Sequence, residues 1–296
     1  MKRKLLLLAL LAAGLIGPVS VLTAKEVAAS PVHAASLSAP DPADEIKQLA
    51  KLFRAGDLAG LAQGLMPRSK WQAARVAFEK QRNQPTSEAE RARFAEKMRE
   101  LTAPDAVDQL MLKLEPEMAE ARTQMPGMLM MAMGAMQVAV SSPETQLTEA
   151  QREALRSALP GIQRWASTTD FLSPESMRRT LTLFTDAVRR TNITDIDQLK
   201  ALPLEGALEL ASQVFVAAKD AARGYGLDLD AMADSLKVDV LERSQDTAKV
   251  RTTITVFGAP VSVEHELVLQ EGHWYGKHAH MDFDDEADRD KADRRS

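Results

Sequence analysis

His278, His280 and Asp282 share parity near the C-terminal end of a 296-residue chain, so an extended backbone would turn two imidazoles and a carboxylate to one side. That donor set suits zinc, nickel or Cu(II). The same three residues also read as a solvated strand end running into a charged tail. His265 lies upstream in an alternating stretch, where it is either a packed core residue or the lining of a pocket. As a general base it would need a carboxylate beside it. Glu264 and Glu266 have the opposite strand parity and are expected to face away.

A second cluster is made of sulfur. Met125, Met128, Met130, Met131, Met133 and Met136 crowd an apolar run from Pro126 to Val140 that contains Gly127 and Gly134. Thioethers are soft enough to select Cu(I). They also fill irregular core space or form an adaptable apolar groove, so core, groove and copper site all stay open. At some 15 residues the run is short for a membrane span, which needs about 20.

Acids at Asp282, Asp284, Glu286, Asp288, Asp290 and Asp293 follow the offsets of a calcium loop. Ala287 stands where such a loop needs glycine, and Arg289, Lys291, Arg294 and Arg295 interrupt the acids. Residues 282–296 therefore read as a charged, disordered tail. Several enzyme signatures are absent: no Gly-x-Ser-x-Gly, no Ser-x-x-Lys, no His-Glu-x-x-His and no phosphate-binding glycine loop with its lysine. The cofactor, if there is one, is unknown from these residues.

The elements that would position these residues follow from periodicity. Met1-Lys2-Arg3-Lys4, the apolar stretch Leu5 to Ile16, and Gly17-Pro18 before small residues to Ala24 have the order of a secretion signal. Residues 1–24 are expected to be removed, with cleavage after Ala24 or after Ala34, and the mature chain to be periplasmic or secreted from a bacterium. Losing those residues removes three cations and no acid, which shifts the formal charge from −5 to −8. An acidic chain without a basic stripe gives no reason to expect nucleic acid, and contact with a membrane is expected only through the signal if it stays uncleaved. With no cysteine there is no lipid anchor, disulfide or thiolate. The partner is an unknown protein or small molecule.

Residues 25–43, rich in Ala, Ser and Pro, read as a flexible leader. Residues 44–202 are helical in pattern. Ser173-Pro174-Glu175 and Thr148-Glu149-Ala150-Gln151 are helix starts, and Pro160 is expected to kink or break the helix that the second one opens. Leu204, Ala207, Leu208, Ala211, Val214, Phe215 and Ala218 form the longest seam, which ends at Gly224-Tyr225-Gly226. Three alternating runs and a short fourth around Trp274-Tyr275 then follow, separated by Ser244-Gln245-Asp246, Gly258-Ala259-Pro260 and Glu271-Gly272. Such short connections predict an antiparallel meander.

The fold class expected is α+β, a mostly helical region followed by the Leu204 helix packed on a four-stranded antiparallel sheet. Residues 203–281, a long amphipathic helix before a meander whose last strand opens with Gly272-His273-Trp274, resemble the cystatin-like and NTF2-like domains of exported bacterial proteins. The resemblance implies a concave sheet that holds a small ligand or a partner. The acid and histidine pairs of the enzymatic members have no counterpart here. Function is thus expected to be a non-catalytic binding or protein-interaction module; a hydrolase with a pocket around His265, or a weak metal handler, is the alternative.

Overall fold

In a computed structural model the chain is described over residues 40–142 and 149–277. His278, His280, Asp282, the acidic tail, the secretion signal and nearly all of the leader lie outside the described residues. Ten helices precede four strands among the described residues. They are α1 (Pro42–Ala55), α2 (Leu58–Leu65), α3 (Arg68–Arg82), α4 (Glu88–Thr102) and α5 (Ala106–Ser141). Next come α6 (Glu149–Thr168), α7 (Pro174–Thr191), α8 (Ile196–Ala201), α9 (Leu204–Gly224) and α10 (Leu229–Asp234). The strands are β1 (Lys237–Arg243), β2 (Thr247–Val256), β3 (Ala259–Gln270) and β4 (His273–Gly276). The α+β class and the meander are as expected: the sheet runs β1-β2-β3-β4, antiparallel throughout.

Local chemistry sets the helix starts. Ser87 and Glu90 close a reciprocal capping box at α4, and Ser173 accepts from the Ser176 amide ahead of Pro174 at α7. Asp228 accepts from the amides of Asp230 and Ala231 and so starts α10, a one-and-a-half-turn helix that the periodicity did not show. Pro160 does not break α6, which stays helical from Glu149 to Thr168. One amide bond is lost there, but Gly161 directly after it lets the helix press on the turn between β2 and β3. A Cβ at Gly161 would lie 2.5 Å from Phe257 Cβ. Trp165, one turn further on, stacks on the Phe257 ring with centroids 5.1 Å apart. Packing on the sheet thus holds a helix that proline alone would interrupt.

The helix expected to cover the sheet is not the one that does. The neighbours of α9 are α7, with α2, α3 and α10, whereas α6 lies along β3 and α1 lies on β1, β2 and β4. Nearly every residue of α9 is half-buried or buried, so its apolar seam is consumed by other helices. Phe215 meets Phe53 of α1 edge-on at 5.4 Å.

The sheet's own core is Ala248, Val250, Leu267 and Trp274, with Val250 fully buried, and Ile46 of α1 closes over it beside Val238 and Leu269. The register Ala248↔Leu267 and Leu269↔Trp274 puts these side chains on one face. Glu45 staples α1 to β4: one carboxylate oxygen accepts from the Trp274 amide, and the other lies 2.7 Å from His273 Nδ1. The Trp274 indole donates to the Pro40 carbonyl at 2.7 Å.

Candidate functional site

The methionine segment is neither simply core nor simply surface. It forms the second half of α5, a single helix of 36 residues that carries Pro116 and Pro126 within it. Met125, Leu129, Met133, Met136 and Val140 recur at helical spacing and are half-buried or buried, on the side that meets α6 and α7. The opposite face is open. Met130 is 77% exposed and Met131 72%, flanked by exposed Met128 and Val138. A Cβ added at Gly127 or at Gly134, seven residues on, would meet nothing within 4 Å.

From Met125 to Val140 Gln137 is the one polar side chain and no residue is charged. At 1.5 Å per residue this gives an apolar strip about 22 Å long. Large thioethers lie beside bare backbone on it. A single exposed methionine needs no explanation, but a contiguous row on one helix face marks a contact surface.

His265 falls on the face of the sheet that carries Val250, its direct partner in the register. The residue as a whole is exposed, and it is partly desolvated on that face. Desolvation there holds its pKa below the ordinary histidine value. Its Nε2 lies 2.9 Å from Thr252 Oγ1. Glu264 and Glu266 occupy the other face, as the parity predicted. Glu264 pairs with Lys249 at 2.7 Å and Arg251 at 2.6 Å, and Glu266 with Lys277 at 2.5 Å. The two cations beside Glu264 hold its carboxyl below the usual range. His265 therefore has no carboxylate to orient it among the described residues.

Two open clefts border the sheet and the helices. One, about 370 Å³, lies at the β1–β2 end of the sheet, lined by Arg243, Thr247, Lys249, Glu266 and Lys277 among others. The second, about 350 Å³, lies where α6 ends, α7 begins and α9 ends, and its walls are Thr169, Asp170, Ser173, Ser176 and Gly224-Tyr225-Gly226. Neither includes His265. Among the described residues no three histidines or carboxylates converge to hold a metal.

Three polar ties between distant elements were not legible in the sequence. Lys219, 3% exposed, donates to the carbonyls of Phe53 and Arg54 at the end of α1 and pairs with Asp230. Glu271 in the β3–β4 turn accepts from the Arg68 amide at the start of α3. The Glu45–His273 pair joins residues more than two hundred positions apart. A lysine inside an apolar seam was the one signal available for the first, and nothing local marked the others.

No protein-family model, curated protein or solved structure matches the chain. Among the described residues no helix is long and apolar enough to cross a membrane.

Proposed function

We propose that this chain is an exported, periplasmic, non-catalytic interaction module, and that the open face of α5 receives an apolar helix from a partner protein. The supporting observation is the 77% and 72% exposure of Met130 and Met131 within an uncharged helical run. Thioether side chains re-pack against varied shapes at little cost, which suits a surface that moulds itself to an incoming side chain. The bare positions at Gly127 and Gly134 let a second helix approach to the short end of the usual 8–10 Å interaxial range. With no charge along the strip, a charged partner segment would lose its hydration with nothing to replace it. An apolar helix loses nothing.

A photo-crosslinking residue at Met131 tests this in the producing cell, with the same residue at Glu117 on the charged half of α5 as control. The expected result is a discrete adduct from position 131 that is absent from position 117 and disappears in Met130→Glu. Adducts of equal yield from both positions, or none from 131, would count against the reading. N-terminal sequencing of the mature protein checks the export component, with a start at Lys25 or Ala35 expected.

A further inference from the structure

We propose that the cleft at the junction of α6, α7 and α9 is a binding site for a neutral saccharide. It is separate from the α5 face and does not depend on it.

The chemistry of the walls selects the ligand class. Thr169, Ser173, Ser176 and Tyr225 bring four hydroxyls and Asp170 a carboxylate, with no lysine, arginine or aliphatic side chain among the lining residues. Without a cation the cleft offers a phosphate or carboxylate ligand nothing to offset its charge. Without aliphatic walls it offers a lipid or hydrophobe little area to bury. Hydroxyls that both donate and accept, with a carboxylate that accepts two bonds at once, match a ligand made of adjacent hydroxyl groups. The aromatic ring of Tyr225 supplies the remaining requirement, a flat electron-rich face for the C–H side of a pyranose.

The groups are available as well as present. Asp170, an exposed residue, uses one oxygen to accept from the Leu172 amide at 3.0 Å, which fixes the carboxylate and leaves the other oxygen for a ligand. Ser173 accepts the Ser176 amide at 3.3 Å and so keeps its proton for a ligand. Among the described residues the hydroxyls of Thr169, Ser176 and Tyr225 have no partner within the protein.

The platform is also held in place. Tyr225 stacks on Phe171 with centroids 6.2 Å apart and planes 18° apart, and Phe171 stands edge-on to Trp165 at 5.1 Å. The Trp165 indole donates to the Tyr225 carbonyl at 2.6 Å. Gly226, at φ +82°, turns the chain there without a Cβ and lets it run against the same indole. A ring stacked on Phe171, with its backbone held by the Trp165 indole, loses little freedom when a ligand arrives, which lowers the cost of binding. The cleft is shallow and open, so a bound sugar would keep one side in water, as the hydration of its remaining hydroxyls requires.

Amide NMR of the full chain, titrated with triacetylchitotriose, maltotriose and mannotriose in turn, tests the proposal. The expected result is saturable shifts from at least one trisaccharide, centred on the amides of Thr169, Ser176 and Gly224 to Gly226. Asp170→Asn keeps the acceptor for Leu172 and should weaken that binding by about tenfold, the loss of one charge-assisted hydrogen bond. Tyr225→Leu should abolish it. The proposal is overturned if none of the three sugars moves these amides, or if Asp170→Asn binds as tightly as the parent. Inorganic phosphate is the counter-probe. Saturable shifts of the Ser176 amide with phosphate, and none with sugar, would show an anion site at the start of α7 and refute the saccharide assignment.

Discussion

Lys219 Nζ lies 2.6 Å from Asp230 Oδ1 while the same ammonium donates to the carbonyls of Phe53 and Arg54. One buried cation thereby closes the C-terminal end of α1, lies over the rings of Phe53 and Phe215 at 5.6 and 5.7 Å, and fixes α10 through its carboxylate. The carbonyls at a helix end carry partial negative charge, so the ammonium is where the α1 dipole favours it. Removing Asp230 would leave that charge without a counter-ion. Asp230→Ala should lower unfolding free energy by about 3 kcal/mol, while Lys219→Met, which removes the charge and keeps the stem, should cost less. Urea denaturation of the two variants checks the order, and an Asp230→Ala midpoint equal to the parent's would show the pair to be idle.

The close approach of α6 to the β2–β3 turn makes a second prediction. A Cβ at Gly161 would fall 2.5 Å from Phe257 Cβ and 2.9 Å from its carbonyl oxygen, and neither is the free end of a flexible chain. Gly161→Ala should therefore destabilise by about 1–3 kcal/mol in spite of alanine's better helix propensity. Gly134→Ala, in open space on α5, should instead be neutral or stabilising by up to about 1 kcal/mol. Thermal unfolding should show a loss for Gly161→Ala and none for Gly134→Ala if the packing is as described.

His265 predicts a pH effect. Its folded-state pKa is lowered by desolvation, so the unfolded chain binds the proton more readily than the folded one. The stability tied to it is fully present above the unfolded value of about 6.5 and declines as pH falls from there through the folded pKa. Thermal midpoints of the parent and of His265→Gln, taken between neutral pH and pH of about 5, should diverge less in the acid range than at neutrality. A constant difference across that range would contradict the shift.

The seam of α9 gives the fourth prediction. Phe215 packs on Phe53, so Phe215→Ala should loosen α1 from α9 at a cost of about 2–3 kcal/mol, below the usual range for a fully buried aromatic because the ring is half-buried. Hydrogen exchange reads the location. Faster exchange in α1 and α9 with the β2–β3 amides unchanged is expected, whereas loss of protection throughout the sheet would place Phe215 against the strands.

Much of this architecture was legible because it is local. Ser173-Pro174 and Gly224-Tyr225-Gly226 mark helix ends through bonds within a few residues, and alternation from Leu236 onward specifies strands whose short turns leave only antiparallel pairing. The strand parity of His265 against Glu264 and Glu266 was equally local and placed them on opposite faces.

Which helix meets which surface was not local. An apolar seam such as Leu204 to Ala218 states that it must be buried and says nothing of what buries it; α7 won that place, and α6 took the sheet because Gly161 and Trp165 fit the Phe257 turn. Only the tertiary structure set Glu45 beside His273, Lys219 beside Asp230, and Asp170 beside Tyr225. The same holds for the methionines: their spacing makes a helix with apolar residues on every side, and the number of neighbours the fold supplies leaves one of those sides uncovered. Burial is non-directional, so sequence period reports the demand for it and three-dimensional packing decides where it is met.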